Sequence, residues 1–160
     1  MTQKLNVHAT GLVLGEHGLL LRGPSGSGKS LLALSLLDEW EIRGQPGKLV
    51  SDDRVDLAVE TGQLVMYPPK QIEGLIELRG RGLVARPFAA RARLHLVVDF
   101  VDRLERMLEE EELVTELLGV PVARCPVPKD GVVDSRHQLL LVREAIRQLS
   151  STPHAMQKST

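Results

Sequence analysis

The chain has 160 residues, 42% apolar and 26% charged, with a formal net charge of −1, which suits one soluble globular domain with a substantial core. That charge and an aromatic content of 2% supply neither the basic surface that draws nucleic acid or anionic membrane nor the rings that stack single-stranded bases. The lone Cys125 has no internal disulfide partner and reads as a small core residue, no apolar run has transmembrane length, and the N-terminus lacks a signal-peptide apolar stretch, so the expected compartment is the cytoplasm.

In chain order, Asn6–Leu14 reads as a strand that turns at Gly15-Glu16-His17-Gly18 into a second strand, Gly18–Arg22. This hairpin feeds Gly23-Pro24-Ser25-Gly26-Ser27-Gly28-Lys29-Ser30, a complete G-x-x-x-x-G-K-[ST] pattern. A helix is expected from Ser30 to about Arg43, ended by Gly44-Gln45-Pro46-Gly47. A short strand, Leu49-Val50-Ser51, then runs into Asp52-Asp53, and Val55–Val59 and Gln63–Tyr67 suit a hairpin closed by Glu60-Thr61-Gly62 and stopped by Pro68-Pro69. Ile72–Leu78 precedes the Gly/Arg-rich segment Arg79-Gly80-Arg81-Gly82, and Leu94–Asp99 is a further strand. The acidic run Glu109–Glu112 leads into Leu113–Leu118 as one short helix, its charges a solvated face. Val120–Val127 reads as a strand, and Leu139, Val142, Ile146 and Leu149 fall at helical spacing. Strands outnumber helices and hairpins recur. The fold class is therefore α/β with a mixed, hairpin-rich sheet packed on helices, residues 1–150 forming one domain and 151–160 a frayed polar tail.

The strand–loop–helix order around residues 23–30 predicts a nucleoside triphosphate site. Backbone N–H groups and the positive end of a helix converge there, and Gly26 and Gly28 let the backbone approach a phosphate closely. Lys29 would reach the β- and γ-phosphates and the Ser30 hydroxyl would hold Mg²⁺. Asp52-Asp53 follows an apolar strand, where P-loop enzymes place a metal-organising acid, although an acidic turn has the same look. Two adjacent carboxylates facing a triphosphate repel one another, which suits one of them to general-base work. Glu77, between Ile76 and Leu78, serves either chemistry or solvent. Arg79, Arg81, Arg86, Arg91 and Arg93 suit an acidic or phosphorylated partner, or a solvated face.

Taken together, His8, the loop Gly23–Ser30, Val50-Ser51-Asp52-Asp53-Arg54-Val55 and Glu77-Leu78-Arg79-Gly80-Arg81-Gly82 resemble the catalytic domain of bacterial HPr kinase/phosphorylase. Val101-Asp102-Arg103-Leu104 and the stretch 120–136 extend the likeness over nearly the whole chain. The resemblance implies a fold like the nucleotide-binding domain of phosphoenolpyruvate carboxykinase. It implies transfer of the γ-phosphoryl of ATP to a serine of the phosphocarrier HPr, and reversal by inorganic phosphate with release of pyrophosphate. Asp52 matches the family's base and His8 the histidine that sets that acid's charge. Ser30, Asp53 and Glu77 match positions associated with Mg²⁺, and Arg103 an arginine that stabilises the transferred phosphoryl. A homo-hexamer is implied as well. The chain departs from the family in lacking a counterpart of the N-terminal domain of long members, so it reads as a short form. It also carries Pro24 where Asp is usual and Ala9 where Gly follows the His, and its loop 128–136 matches loosely. The rival readings are a small-molecule kinase, which would carry a mobile lid over a parallel sheet, and a nucleotide-sensing module in which Asp52-Asp53 is structural.

Overall fold

A computed structural model describes residues 3–69 and 74–151. Within them the chain forms strands β1 (Lys4–Leu14) and β2 (His17–Arg22), helix α1 (Lys29–Ile42), strands β3 (Gly47–Ser51), β4 (Arg54–Glu60), β5 (Gln63–Tyr67), β6 (Leu75–Leu78), β7 (Gly82–Ala85) and β8 (Ala92–Val101), then β9 (Val114–Leu117), β10 (Val120–Pro128) and helix α2 (Ser135–Ser151). The mixed α/β architecture expected from the sequence is present. The start of the Ile72–Leu78 segment and the tail from residue 152 lie outside the described residues.

The long strands β1 and β8 each serve two sheet regions. Lys4–His8 of β1 pairs with β4, whereas Ala9–Leu14 pairs with β2 and, from Gly11 onward, with β3 as well. Ala92 and Arg93 of β8 pair with β5, and the rest of β8 runs parallel to both β2 and β10. The ladder β1–β4–β5–β8–β2 thereby closes on itself. Alternation along these strands sorts the core into two layers. Leu12, Leu14, Leu19, Leu21, Leu96 and Val98 pack under α1 and α2, while Ala9, Leu20, Val55, Leu57, Met66 and Val97 fill the space between the sheet regions. Cys125 belongs to the helix-covered layer, and burial pushes its thiol up to about 12, which leaves it a packing group.

β3 and β4 follow one another along the same edge of β1, and the ladder breaks between them at Asp52-Asp53. The break has a packing cause. At Gly11 the register slips by one residue, and a Cβ there would stand 3.2 Å from Val55 Cγ2 and 3.3 Å from the Met66 sulfur. A side chain there would crowd Val55 and Met66 where β1 crosses from one sheet region to the other. Asp53 takes φ 73°, a left-handed conformation uncommon for a residue with a side chain, and its carbonyl accepts the Ala9 N–H at 3.0 Å.

Two readings differ from the sequence expectation. The segment 109–118 is not one helix. Glu110–Leu113 is a single 3₁₀ turn with Glu109 and Glu112 in a reciprocal capping box, and Val114–Leu117 is a strand paired antiparallel with β10. The β-branched Val114 and Thr115 gain a ladder there, and Leu118-Gly119, both at positive φ, close the hairpin. Downstream of Arg79-Gly80-Arg81, Gly82–Ala85 forms β7, which folds back on β6 as a separate two-stranded flap.

Candidate active site

The parallel strands β2, β8 and β10 end on one side of the sheet, and the loop 23–28 leads from the end of β2 into α1 there. Gly28 caps α1 at φ 106° with no side-chain cap, so the first N–H groups of the helix, which have no intrahelical acceptor, remain available to a ligand. Gly23 is required for a different reason. A Cβ at that position would meet Ser27 Oγ at 2.8 Å and Phe100 Cβ at 2.9 Å. The loop is tied down from within: the Ser27 hydroxyl donates to the Pro24 carbonyl at 2.7 Å, and the Asp130 N–H to the Ser27 carbonyl at 3.2 Å.

A cleft of about 750 Å³ opens over this loop, lined among others by His8, Lys29, Ser30, Asp52, Asp53 and Glu77. Lys29 is buried and its ammonium donates to the carbonyls of Gly23 at 2.6 Å and Pro24 at 3.1 Å. Burial lowers its pKa against the opposing pull of Asp53 and Asp52. The flap β6–β7 forms one wall, presenting Glu77, Leu78, Arg79 and Leu83.

The tandem aspartates point to different partners. The Asp52 carboxylate accepts the Ser30 hydroxyl at 2.9 Å and the Thr10 hydroxyl at 2.8 Å on the same oxygen, with the Asp53 N–H at 3.1 Å. Its second oxygen lies 3.2 Å from Ser30 Oγ. Asp53 instead stands 3.0 Å from His8 Nε2, with 74% of its side chain exposed. The family resemblance implies a histidine serving Asp52. The structure pairs His8 with Asp53 and Asp52 with Ser30.

Of the residues singled out in the sequence, His8, Lys29, Ser30, Asp52, Asp53 and Glu77 meet in this cleft, with Gly26 and Gly28 of the loop. Arg103 does not. It follows β8 but lines a neighbouring groove of about 330 Å³ with Asp102, Glu112 and Arg124. The arginine run is dispersed: Arg79 faces the cleft, Arg86 pairs with Asp38 and Arg91 with Glu60. Sequence reasoning passed over Thr10 and Asp130. Thr10 had a signal, because it lies two residues from His8 in a strand and so shares its face.

Comparison with known proteins matches the chain to one family. The model of the HPr serine kinase C-terminal domain covers residues 1–159, and the chain belongs to that family. It is 36% identical to the HPr kinase/phosphorylase of Acidovorax sp. (strain JS42), over 81% of this chain and 42% of that protein. To the HPr kinase/phosphorylase of Bordetella pertussis it is 32% identical, over 88% of this chain and 47% of the relative. The chain thus spans less than half the length of these curated relatives. Among solved structures, the HPr(Ser) kinase/phosphatase from Coxiella burnetii superposes with a TM-score of 0.76 at 27% identity, covering 97% of this chain and 96% of that one.

Proposed function

We propose that this domain is an ATP-dependent protein-serine kinase whose acceptor is the phosphocarrier HPr. The observation that carries the proposal is the division of Asp52 and Asp53 at the mouth of the loop cleft, one against Ser30 and the other against His8. In this reading the loop 23–30 is a P-loop on a fold akin to that of phosphoenolpyruvate carboxykinase. Its N–H groups receive the phosphates, and Lys29 leaves the carbonyls of Gly23 and Pro24 to meet them.

The donor set near Ser30 suits Mg²⁺. Among the described residues no cluster of three His, Cys, Asp or Glu forms an all-protein cage, and Mg²⁺ ordinarily takes one or two carboxylates together with waters and substrate phosphates. Ser30, Asp52 and Glu77 would hold it. Once bound, it would neutralise charge on the triphosphate.

Asp53 is the better-placed base. It is open to solvent, so an incoming serine can reach it, and His8 holds its carboxylate. The serine oxygen forms a bond to the γ-phosphorus as the bond to the β–γ bridging oxygen breaks. ADP leaves, and the serine proton passes to Asp53. This assignment reverses the roles that the resemblance gives to Asp52 and Asp53. In the phosphorylase direction the same carboxyl would return the proton as phosphate attacks phosphoserine and pyrophosphate leaves.

Arg103 would serve the transferred phosphoryl only if another copy of the chain or the acceptor brought it to the cleft. The exposed apolar side chains Leu104, Met107, Leu108, Leu113 and Val114 beside it support a homo-oligomer, the hexamer being the family form. No helix among the described residues is long and apolar enough to cross a membrane, in keeping with a cytoplasmic enzyme.

Incubation with labelled ATP and HPr tests the proposal. The parent chain should label a serine of HPr, and Lys29→Ala should abolish the labelling. Phosphorylation of a small molecule alone, or nucleotide binding without turnover, would overturn the assignment in favour of a small-molecule kinase or a sensing module.

A further inference from the structure

β1 presents two polar side chains on one face, His8 and Thr10, opposite the break that carries Asp52 and Asp53. Each meets one carboxylate: His8 stands 3.0 Å from Asp53, and the Thr10 hydroxyl donates to Asp52 Oδ1 at 2.8 Å. Thr10 is wholly buried. A buried hydroxyl must place its proton on an acceptor, and the side-chain acceptor that it meets is Asp52.

From this arrangement we infer that Thr10 is a positioning residue for the metal side of the site, acting through Asp52. The inference rests on the kinase reading above. Oδ1 of Asp52 receives Thr10, Ser30 and the Asp53 N–H, at 2.8, 2.9 and 3.1 Å, which occupies that oxygen fully. Oδ2 keeps spare capacity on the side of Ser30 and the Glu77 N–H, its distances being 3.2 and 3.5 Å. Thr10 thus fixes which carboxylate oxygen is spent on the fold and which faces the cleft. It also anchors Asp52 away from Asp53. Without that anchor Asp52 is held only by Ser30, which already spans both of its oxygens, and by the Asp53 N–H, so the carboxylate is less firmly oriented.

The chemistry predicts different outcomes for two conservative substitutions. Thr10→Val keeps the shape of the buried side chain and removes the hydroxyl. Thr10→Ser keeps the hydroxyl and removes the methyl. A purely packing role would favour valine, whereas a positioning role favours serine.

The test is binding of a non-hydrolysable ATP analogue, titrated with MgCl₂, on the intact chain. Loss of an outer-shell hydrogen bond ordinarily costs 10- to 100-fold in metal affinity. The Mg²⁺ concentration for half-maximal analogue binding should accordingly rise about tenfold or more in Thr10→Val, and Thr10→Ser should stay close to the parent. Thr10→Ala, compared with Thr10→Ser, reads the same hydroxyl should the valine variant fail to fold. Equal Mg²⁺ requirements in Thr10→Val and parent, or in Thr10→Ala and Thr10→Ser, overturn the inference and leave the kinase reading standing. A parent whose analogue binding ignores Mg²⁺ overturns both.

Discussion

Two carboxylate centres lie close together in this molecule and behave as opposites. Across β2, β8 and β10, Asp99 is 15% exposed and fully engaged: Arg22 reaches its two oxygens at 2.7 and 2.8 Å, and Arg124 Nε lies 2.6 Å from Oδ2. Arg124 is held in turn by the Glu112 carbonyl at 2.9 Å. At the cleft, Asp52 has one oxygen spent and one nearly free, and Asp53 meets a single histidine in the open. The first centre ties the three parallel strands together through Arg22, the residue that precedes the loop. The second retains unspent hydrogen-bonding capacity where a substrate can use it. Burial with complete pairing marks a structural charge, and partial pairing in a cleft marks a chemical one.

The largest expected effect separates the two centres by function. Asp53→Asn should lower transfer to HPr by about 10²- to 10⁴-fold, the usual contribution of a general base. Its melting should stay within about 0.5 kcal/mol of the parent, as for most exposed substitutions. A variant that keeps its transfer rate would dissolve the contrast. Asp99→Ala should do the reverse and cost about 1–3 kcal/mol in denaturant unfolding, since two half-buried guanidiniums lose their charged hydrogen-bond acceptor. An unchanged unfolding midpoint would show that the triad holds nothing.

The pH dependence of stability sharpens the same contrast. Burial of Asp99 works to raise its pKa, but the hydrogen bonds from Arg22 and Arg124 and their charges outweigh it and hold the carboxyl below its ordinary value. A depressed folded-state pKa stabilises the fold above the unfolded value near ~3.9 and loses that contribution as pH falls through the folded value. Urea midpoints should therefore drop on acidification below about pH 4, and the part of the drop due to this triad should vanish in Asp99→Asn. The smallest effect belongs to the flap. Glu77→Ala should raise the Mg²⁺ requirement for activity by about tenfold, and an unchanged metal titration would remove Glu77 from the metal's surroundings.

Much of this was legible in the residues, and the gaps have physical reasons. The loop 23–30 and the runs 6–14, 18–22, 55–59 and 63–67 carried their own periodicity and turn chemistry, so local rules sufficed. The helix expected over 109–118 failed because good helix formers at Glu110–Leu113 were overruled by the hairpin in which Val114–Leu117 pairs with the next strand, β10. Four residues that begin with the last glycine of a Gly/Arg segment were too few to announce β7. At the site, the sequence named both aspartates, yet their division depended on the register slip at Gly11 and the left-handed turn at Asp53. Neither is visible in composition or spacing. Arg103 shows the opposite limit: a motif in the right order need not bring its side chain to the cleft of a single copy.

The division itself is tested most directly by Mg²⁺-dependent binding of an ATP analogue to Asp52→Asn and Asp53→Asn, measured side by side by calorimetry. Loss of the Mg²⁺-dependent affinity in Asp52→Asn with near-parent binding in Asp53→Asn is the predicted result. Near-parent binding in Asp52→Asn with loss in Asp53→Asn, or equal losses in both, would contradict it.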